Sequence, residues 1–358
     1  MARRENRYVF AKEDRKFRKD RHPIRTLLIL IPLLIAVVLV INYTITHRVT
    51  MEEFRLTVLN LPADLEGYSI LHLSDLHGAE FGKQQKVIET ALGTSKYSCV
   101  VMTGDMLGPE KEVQPVLDLI ALMPPETPKY YIPGDTDGPV VDSLAHGSLS
   151  VYREWALELQ QAGVTILDRP VSVTRGKGKL WFVPENLYAL DLERMQGVYR
   201  QQLAELNDRA TSLTADDAAR IRVLEYELQR IAELTEVRKT IEPTDIQIAL
   251  THIPLSAEYA EDMVRWGNKE DVFSLRYAAL ILAGHYNGGQ WRLPFGRALY
   301  VPELGWFPED RLIQGLDYVA GIPQYISPGL GSAPQYGWEK GRAFNGPKIT
   351  RIVLTRRQ

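Results

Sequence analysis

An α/β layered fold is the reading that three features of the sequence support. Short β-rich runs alternate with helix-compatible stretches, segments bearing Asp, His and Asn close those runs, and one long apolar segment stands apart near the N-terminus. The chain has 358 residues, 45% apolar and 24% charged, with 26 Gly and 21 Pro. That composition belongs to a folded globular protein, and it excludes a disordered, a collagen-like or a multi-span membrane chain. The single cysteine, Cys99, excludes an intramolecular disulfide framework and a Cys-rich zinc site. The net charge of −3 is unevenly spread: residues 1–25 carry ten Lys/Arg and four Asp/Glu, or +6, so the remainder carries −9. An acidic body suits a polyanion poorly, and no nucleic-acid partner is expected.

The N-terminus reads as a membrane anchor. Leu27 to Ile41 is an unbroken apolar run, and residues 26–46 reach the roughly twenty residues that span a bilayer. Pro32 lies inside it, which a membrane helix tolerates, and Tyr43 suits an interface. The basic block just before the run makes residues 1–25 a cytoplasmic tail and puts everything after about His47 outside the cytoplasmic membrane. A cleaved signal peptide would need a small-x-small site after the run, which is not found, and a buried core helix rarely opens on so dense a cationic block. The expected location is therefore the cell membrane, single-pass, with the body extracytoplasmic.

Strands are expected at Tyr68–Leu73, Tyr97–Met102, Lys129–Pro133, Val164–Leu167, Leu180–Val183, Ile246–Leu250, Ala278–Ala283, Leu299–Val301 and Lys348–Leu354. Helix-compatible stretches lie at Lys83–Leu92, Val113–Leu122 and Leu149–Ala162. Residues 190–240 break the alternation. Leu192, Met195, Tyr199, Leu203 and Leu206 recur at helical spacing, as do Ile221, Leu224, Leu228, Ile231 and Leu234, and Thr214-Ala215-Asp216-Asp217 reads as an N-cap. This is a helical hairpin inserted between two core strands, from Leu190 to about Leu206 and from Ala215 to about Lys239. A packing element, a lid or membrane-facing arm near a site, and a dimerising coiled coil all remain open for it; the oligomeric state cannot be read.

The strand-closing segments carry the chemistry. Two divalent metals about 3.5–4 Å apart hold a phosphoester, generate hydroxide and stabilise the leaving oxygen. They need a bridging carboxylate, with His, Asp and Asn completing each shell. Asp75-x-His77 would present both side chains to one side of an extended segment, and Asp105 follows a glycine that lets the backbone turn. Asp135, His252 and His285 close three further runs. In α/β sheets, ligands gather at the carboxyl ends of strands, so these segments point to one site.

The ordered series Ser74-Asp75-Leu76-His77, Gly104-Asp105, Gly134-Asp135-Thr136-Asp137, Thr251-His252 and Gly284-His285-Tyr286-Asn287 resembles the calcineurin-like metallophosphoesterases. Gly288-Gly289-Gln290 and Ser327-Pro328-Gly329-Leu330-Gly331 resemble the membrane-anchored bacterial branch of that family. The resemblance covers roughly residues 53–355 outside the insertion. It implies a four-layer α/β/β/α sandwich with two divalent metal ions (Mn, Zn, Fe or Mg) at one edge. It further implies that Asp75 and His77 bind the first metal, with Asn287 at the place of a second His. Asp105 would bridge, Asp135, His252 and His285 would bind the second metal, and Thr136 and Asp137 would stand at the catalytic positions.

Three departures from the family pattern matter. Asp135 replaces Asn, which adds negative charge. Asn287 replaces His, which shifts the first site toward Mn or Mg. Thr136 replaces the His that protonates or stabilises the leaving oxygen, and losing a positioned acid costs about 10²–10⁴ in rate. His146 is a conceivable substitute acid or else a loop histidine; His72 reads as packed, and Tyr286 and Trp291 as pocket wall or ordinary packing. The expected function is hydrolysis of a phosphomonoester, phosphodiester or lipid-linked diphosphate by metal-activated water at the outer face of the cytoplasmic membrane. A catalytically degenerate binding or scaffold module on the same fold is the alternative.

Overall fold

The computed structural model describes residues 23–141, 151–208, 213–267, 271–294, 296–333 and 341–357. His146 lies outside them. The chain divides into an N-terminal unit ending at Tyr43 and a body from Thr44 onward. Helix α1 (Pro23–His47) is apolar without interruption from Leu27 to Ile41: over Thr26–His47 the mean hydropathy is 2.7 and none of that window is buried. It is long and apolar enough to cross a membrane.

The body runs β1 (Thr50–Val58), β2 (Ser69–Leu73), α2 (Lys86–Leu92), β3 (Cys99–Thr103), α3 (Gln114–Ala121), β4 (Lys129–Ile132), α4 (Glu154–Gln161), β5 (Val164–Ile166), β6 (Val171–Arg175), β7 (Gly178–Pro184), α5 (Leu192–Asn207) and α6 (Ala215–Arg238). It continues with β8 (Ile246–Leu250), α7 (Ala257–Trp266), β9 (Ala278–Ala283), β10 (Tyr300–Val301), β11 (Gly305–Trp306), β12 (Gly315–Val319), β13 (Ile322–Ile326) and β14 (Lys348–Arg356). One six-stranded sheet has the order β1-β14-β2-β3-β4-β5, and the other β12-β13-β9-β8-β7-β6. β2, β3, β4 and β5 are mutually parallel, as are β7, β8 and β9. Their carboxyl ends therefore gather at one edge of each sheet.

Alternation within the strands explains the four layers. Ile70, Cys99 and Val101 face the second sheet and meet Phe182, Ile248, Leu250 and Leu280 from it. Leu71, Val100 and Met102 point the other way, onto Ile88, Leu119 and Leu159 of α2, α3 and α4. On the far side, Trp181 and Val183 meet Ile231 and Leu234 of α6, while Ala249 and Ile281 meet Ala260 of α7. Strands covered on both faces read as continuous apolar runs, and for that reason the sequence revealed them. β1, β6, β11, β12 and β13 were not expected. β1 carries Glu52, Glu53 and Arg55 at the sheet's edge, where one side needs no apolar cover.

The insertion is a hairpin of α5 and α6 between the parallel strands β7 and β8. Asp191 caps α5, and Thr214 and Asp217 form a reciprocal capping box on α6. A polar cluster ties α6 to the start of β6. The Tyr226 hydroxyl donates to Asp168 Oδ2, Arg230 Nη1 donates to the Asp168 carbonyl at 3.1 Å, and Arg169 Nε donates to Asp168 Oδ1 at 2.9 Å. Burial pushes the Asp168 carboxyl up, but its bonds to Arg169 and Tyr226 outweigh burial and hold its pKa below the ordinary value.

Two outcomes are expected. Phe182→Ala, at full burial between the sheets, should cost about 3–5 kcal/mol in denaturant unfolding, whereas Val198→Ala on the exposed side of α5 should stay within about 0.5 kcal/mol. Asp168→Asn should cost about 1–3 kcal/mol at neutral pH. Because the folded pKa is depressed, this contribution is complete above the ordinary carboxylate value and is lost as pH falls through the folded one. Thermal unfolding of wild type and variant should therefore converge in acid.

Candidate metal centre

Backbone hydrogen bonds first join the loops that follow the strands. Asp75 N–H donates to the Gly104 carbonyl (3.0 Å) and His77 N–H to the Asp105 carbonyl (2.9 Å). The second sheet is stitched to the first by His285 N–H on Asp75 Oδ1 (2.9 Å) and by Gly331 N–H on the Asp75 carbonyl (2.6 Å). The loops approach so closely that side chains are excluded. A Cβ at Gly104, whose φ is +87°, would lie 2.6 Å from Gly134 Cα.

Asp75, His77, Asp105, His285 and Asn287 all take left-handed backbone, with φ between 49° and 81°. The Asp75-x-His77 segment is therefore not extended, as its spacing suggested; both residues turn their side chains by a strained local conformation. Such residues are costly and persist where surroundings over-determine them, which the loop bonds do here.

The side chains converge. His252 Nε2 lies 2.8 Å from Asp135 Oδ1 and 3.3 Å from Asp105 Oδ2. His285 Nδ1 is 3.5 Å from Asp135 Oδ1 and 3.3 Å from His252 Nε2, and His77 Nε2 is 3.8 Å from Asp105 Oδ2. Two groups of carboxylate and imidazole atoms are close enough to share an ion: Asp135, His252 and His285, and Asp75, Asp105 and His252. His252 Nδ1 bonds the Thr103 carbonyl at 2.7 Å, so that nitrogen carries a proton and leaves Nε2 facing the carboxylates of Asp105 and Asp135.

The residues present fit divalent cations. His77 Nε2 and Asn287 Oδ1 are buried, and among the described residues neither has a hydrogen-bond partner. Orphaned buried acceptors of this kind are costly unless an ion satisfies them. The electrostatics agree. Burial pushes the Asp75 carboxyl up. Hydrogen bonds from His252 and His285 hold Asp135, which is half exposed, far below the carboxylate range. Burial opposes charge on His252, but hydrogen bonds to Asp105 and Asp135 prevail and hold it well above the imidazole value. The direction of the His252 shift reflects the negative charge that the carboxylates concentrate at the site.

The family model of the calcineurin-like phosphoesterases matches residues 68–287 of this chain. The chain belongs to that family. Among solved structures, a phosphopantetheinyl hydrolase from Mycobacterium tuberculosis aligns at 14% identity over 73% of this chain and 89% of its own, with a TM-score of 0.36. No curated relative matches the chain at significance. Family membership makes this a metallophosphoesterase domain of the hydrolase class, in which divalent metals serve phosphoester cleavage.

Within the phosphoesterase domain, Asp137 and Thr136, the two residues expected at catalytic positions, both bond the loop that carries Asp105. Asp137 is fully buried and does not reach the site's open face. It accepts from the backbone N–H groups of Asp105 (2.7 Å), Leu107 (2.9 Å) and Gly134 (2.8 Å), and from the Tyr131 hydroxyl. These bonds make Asp137 the tie between the loops after β3 and β4. Thr136 serves through its backbone, its N–H donating to Asp105 Oδ1 at 2.8 Å, while its hydroxyl is buried and unpartnered among the described residues. His72 is packed, as read, with Nε2 2.8 Å from Thr103 Oγ1. Tyr286 lies edge-on to His285 at 5.1 Å, and Trp291 Nε1 donates to the Gly341 carbonyl at 3.0 Å.

The sequence reading missed Glu303, whose Oε1 lies 3.5 Å from His285 Nε2. It sits in the turn between β10 and β11, a hairpin too short to show periodicity. It also missed Asn345, which donates to the Asn287 carbonyl at 2.8 Å from just before β14. Only its Asn-Gly-Pro context signalled a turn.

Asp137→Asn should lower stability by about 3 kcal/mol, because an amide cannot accept from all four donors. It should also weaken Mn and Zn binding in calorimetry, since Asp105 and Gly134 lose their common anchor.

Proposed function

We propose that this metallophosphoesterase hydrolyses a phosphoester with two divalent cations and with no side-chain acid at Thr136. The observation that supports this most is the pair of orphaned acceptors, His77 Nε2 and Asn287 Oδ1, opposite the carboxylates and imidazoles of Asp105, Asp135, His252 and His285. In this reading Asp75, His77, Asp105 and Asn287 hold one cation, and Asp105, Asp135, His252 and His285 hold the other. Bound there, the cations supply Lewis acidity and lower the pKa of water.

The chain's own groups orient the reaction. Thr103 fixes the His252 tautomer, and Thr136 N–H and Asp137 hold Asp105 in place. Asp135 in place of an amide adds a negative charge that the cations must offset before an anionic phosphate can approach. Without an acid at Thr136, substrates whose alcohol leaves readily, such as diphosphates and aryl esters, are favoured. The apolar helix α1 and the basic residues before it support anchoring in the cytoplasmic membrane with the body outside, where phosphomonoesters, phosphodiesters and lipid-linked diphosphates of the envelope are available.

Calorimetry on the metal-depleted protein should give two equivalents of Mn or Zn, with Asp105→Asn reducing both. Phosphate release should be faster from p-nitrophenyl phosphate than from an alkyl phosphate, and Thr136→His should raise the alkyl rate by about 10²–10⁴. Metal binding without any phosphate release from either variant would replace this reading with a binding module on the same fold.

A further inference from the structure

A cavity of about 400 Å³, within the size range of small-ligand pockets, opens beside the candidate metal centre. Thr251 and His252, at the end of β8, Glu185 and Asn186, just past β7, and Tyr226, Glu227 and Arg230 of α6 are among its lining residues. The inserted hairpin therefore shares the lining of this space with a candidate ligand. Apart from His252, none of the candidate metal ligands lines it.

We propose that this cavity receives the organic group esterified to the scissile phosphate, and that it accepts an uncharged group bearing hydrogen-bond donors while rejecting one with a further phosphate or carboxylate. The proposal rests on the hydrolase reading above for the position of the phosphate. Three observations carry it. First, His252 belongs both to the cavity lining and to the candidate ligands, so the cavity adjoins the place where the phosphoryl group would be held. Second, Pro133, Val140, Leu167, Leu187 and Leu250 give its walls apolar surface beside the polar groups. Third, the charge balance is wrong for an anion. Asp168, Glu185 and Glu227 line the space, and among its described lining residues Arg230 is the only Lys or Arg.

That guanidinium is already engaged. Its Nη2 and Nε donate to Glu227 Oε2 at 2.7 and 3.0 Å, and its Nη1 donates to the Asp168 carbonyl. Asp168 in turn is bonded by Arg169 and Tyr226. Glu185 is buried, with the Tyr259 hydroxyl on Oε1 at 2.9 Å. A second anion entering here would lose its water and find no spare cation, whereas an amide or hydroxyl would meet carboxyl oxygens. Burial also pushes the Glu185 carboxyl up, in keeping with a dry, weakly polar environment.

The test uses the full chain in detergent, loaded with Mn, and two nearly isosteric non-hydrolysable probes, 5-carbamoylpentylphosphonate and 5-carboxypentylphosphonate. Calorimetry should show the amide binding at least about tenfold more tightly than the acid. Asn186→Trp, on the exposed rim, and Val140→Trp, on the wall, should each erase that preference; thermal unfolding checks that both variants fold. Equal affinities, tighter binding of the acid, binding of neither probe beyond that of methylphosphonate, or a preference that survives both substitutions would overturn the proposal. Phosphate release from p-nitrophenyl phosphate is read in parallel. Amide preference without release would count against the hydrolase reading and leave the cavity's selectivity standing, whereas release without amide preference would remove the cavity proposal alone.

Discussion

Asp137 is the tie on which the centre's geometry depends. One buried carboxylate gathers N–H groups from the loop after β3 and from the loop after β4, together with the Tyr131 hydroxyl from β4 itself. Charge-assisted bonds of this kind are about twice as strong as neutral ones, and in a buried setting the donors have no alternative partner. Asp105 is thereby fixed within reach of His77 on one side and of His252 on the other. The left-handed backbone at Asp75, His77 and Asp105 costs free energy that only such an over-determined set of loops can hold.

The same loops create an electrostatic problem. Three aspartates and three histidines within a few ångströms, most of them buried, cannot be satisfied by one another. His252 and His285 are drawn toward protonation and Asp105 and Asp135 are held ionised, yet His77 Nε2 and Asn287 Oδ1 have no hydrogen-bond partner among the described residues. Positive charge from outside the chain resolves both difficulties together, and the mixed nitrogen and oxygen set suits hard or borderline divalent ions. Asn287 adds a buried carbonyl oxygen to that set.

The helical hairpin is set between two strands of the core. α5 and α6 enter between β7 and β8, whose carboxyl ends already face the site, so a hairpin placed there cannot avoid bordering it. Its apolar stripe covers Trp181 and Val183, and its opposite polar corner, through Tyr226 and Arg230, is fastened to Asp168. One helix thus completes the outer layer and bounds a cavity.

By itself the sequence determined the apolar N-terminal segment, the doubly covered strands, the capped hairpin and the order of the Asp, His and Asn residues that close the strands. Each is a local property: hydropathy, alternation, capping and motif spacing all act over a few residues. Tertiary structure decided what local patterns cannot carry. Asp137 looks like Asp135 in the sequence, separated from it by one residue, yet one is buried as an anchor and the other turns outward to His252, because the loop reverses between them. Glu303 and Asn345 reach the centre from segments with no periodicity, and edge strand β1 hides behind its charges because one of its sides needs no apolar cover. The cavity is readable from no single segment, since its walls come from strand ends and a helix that only the packing of the two sheets brings together.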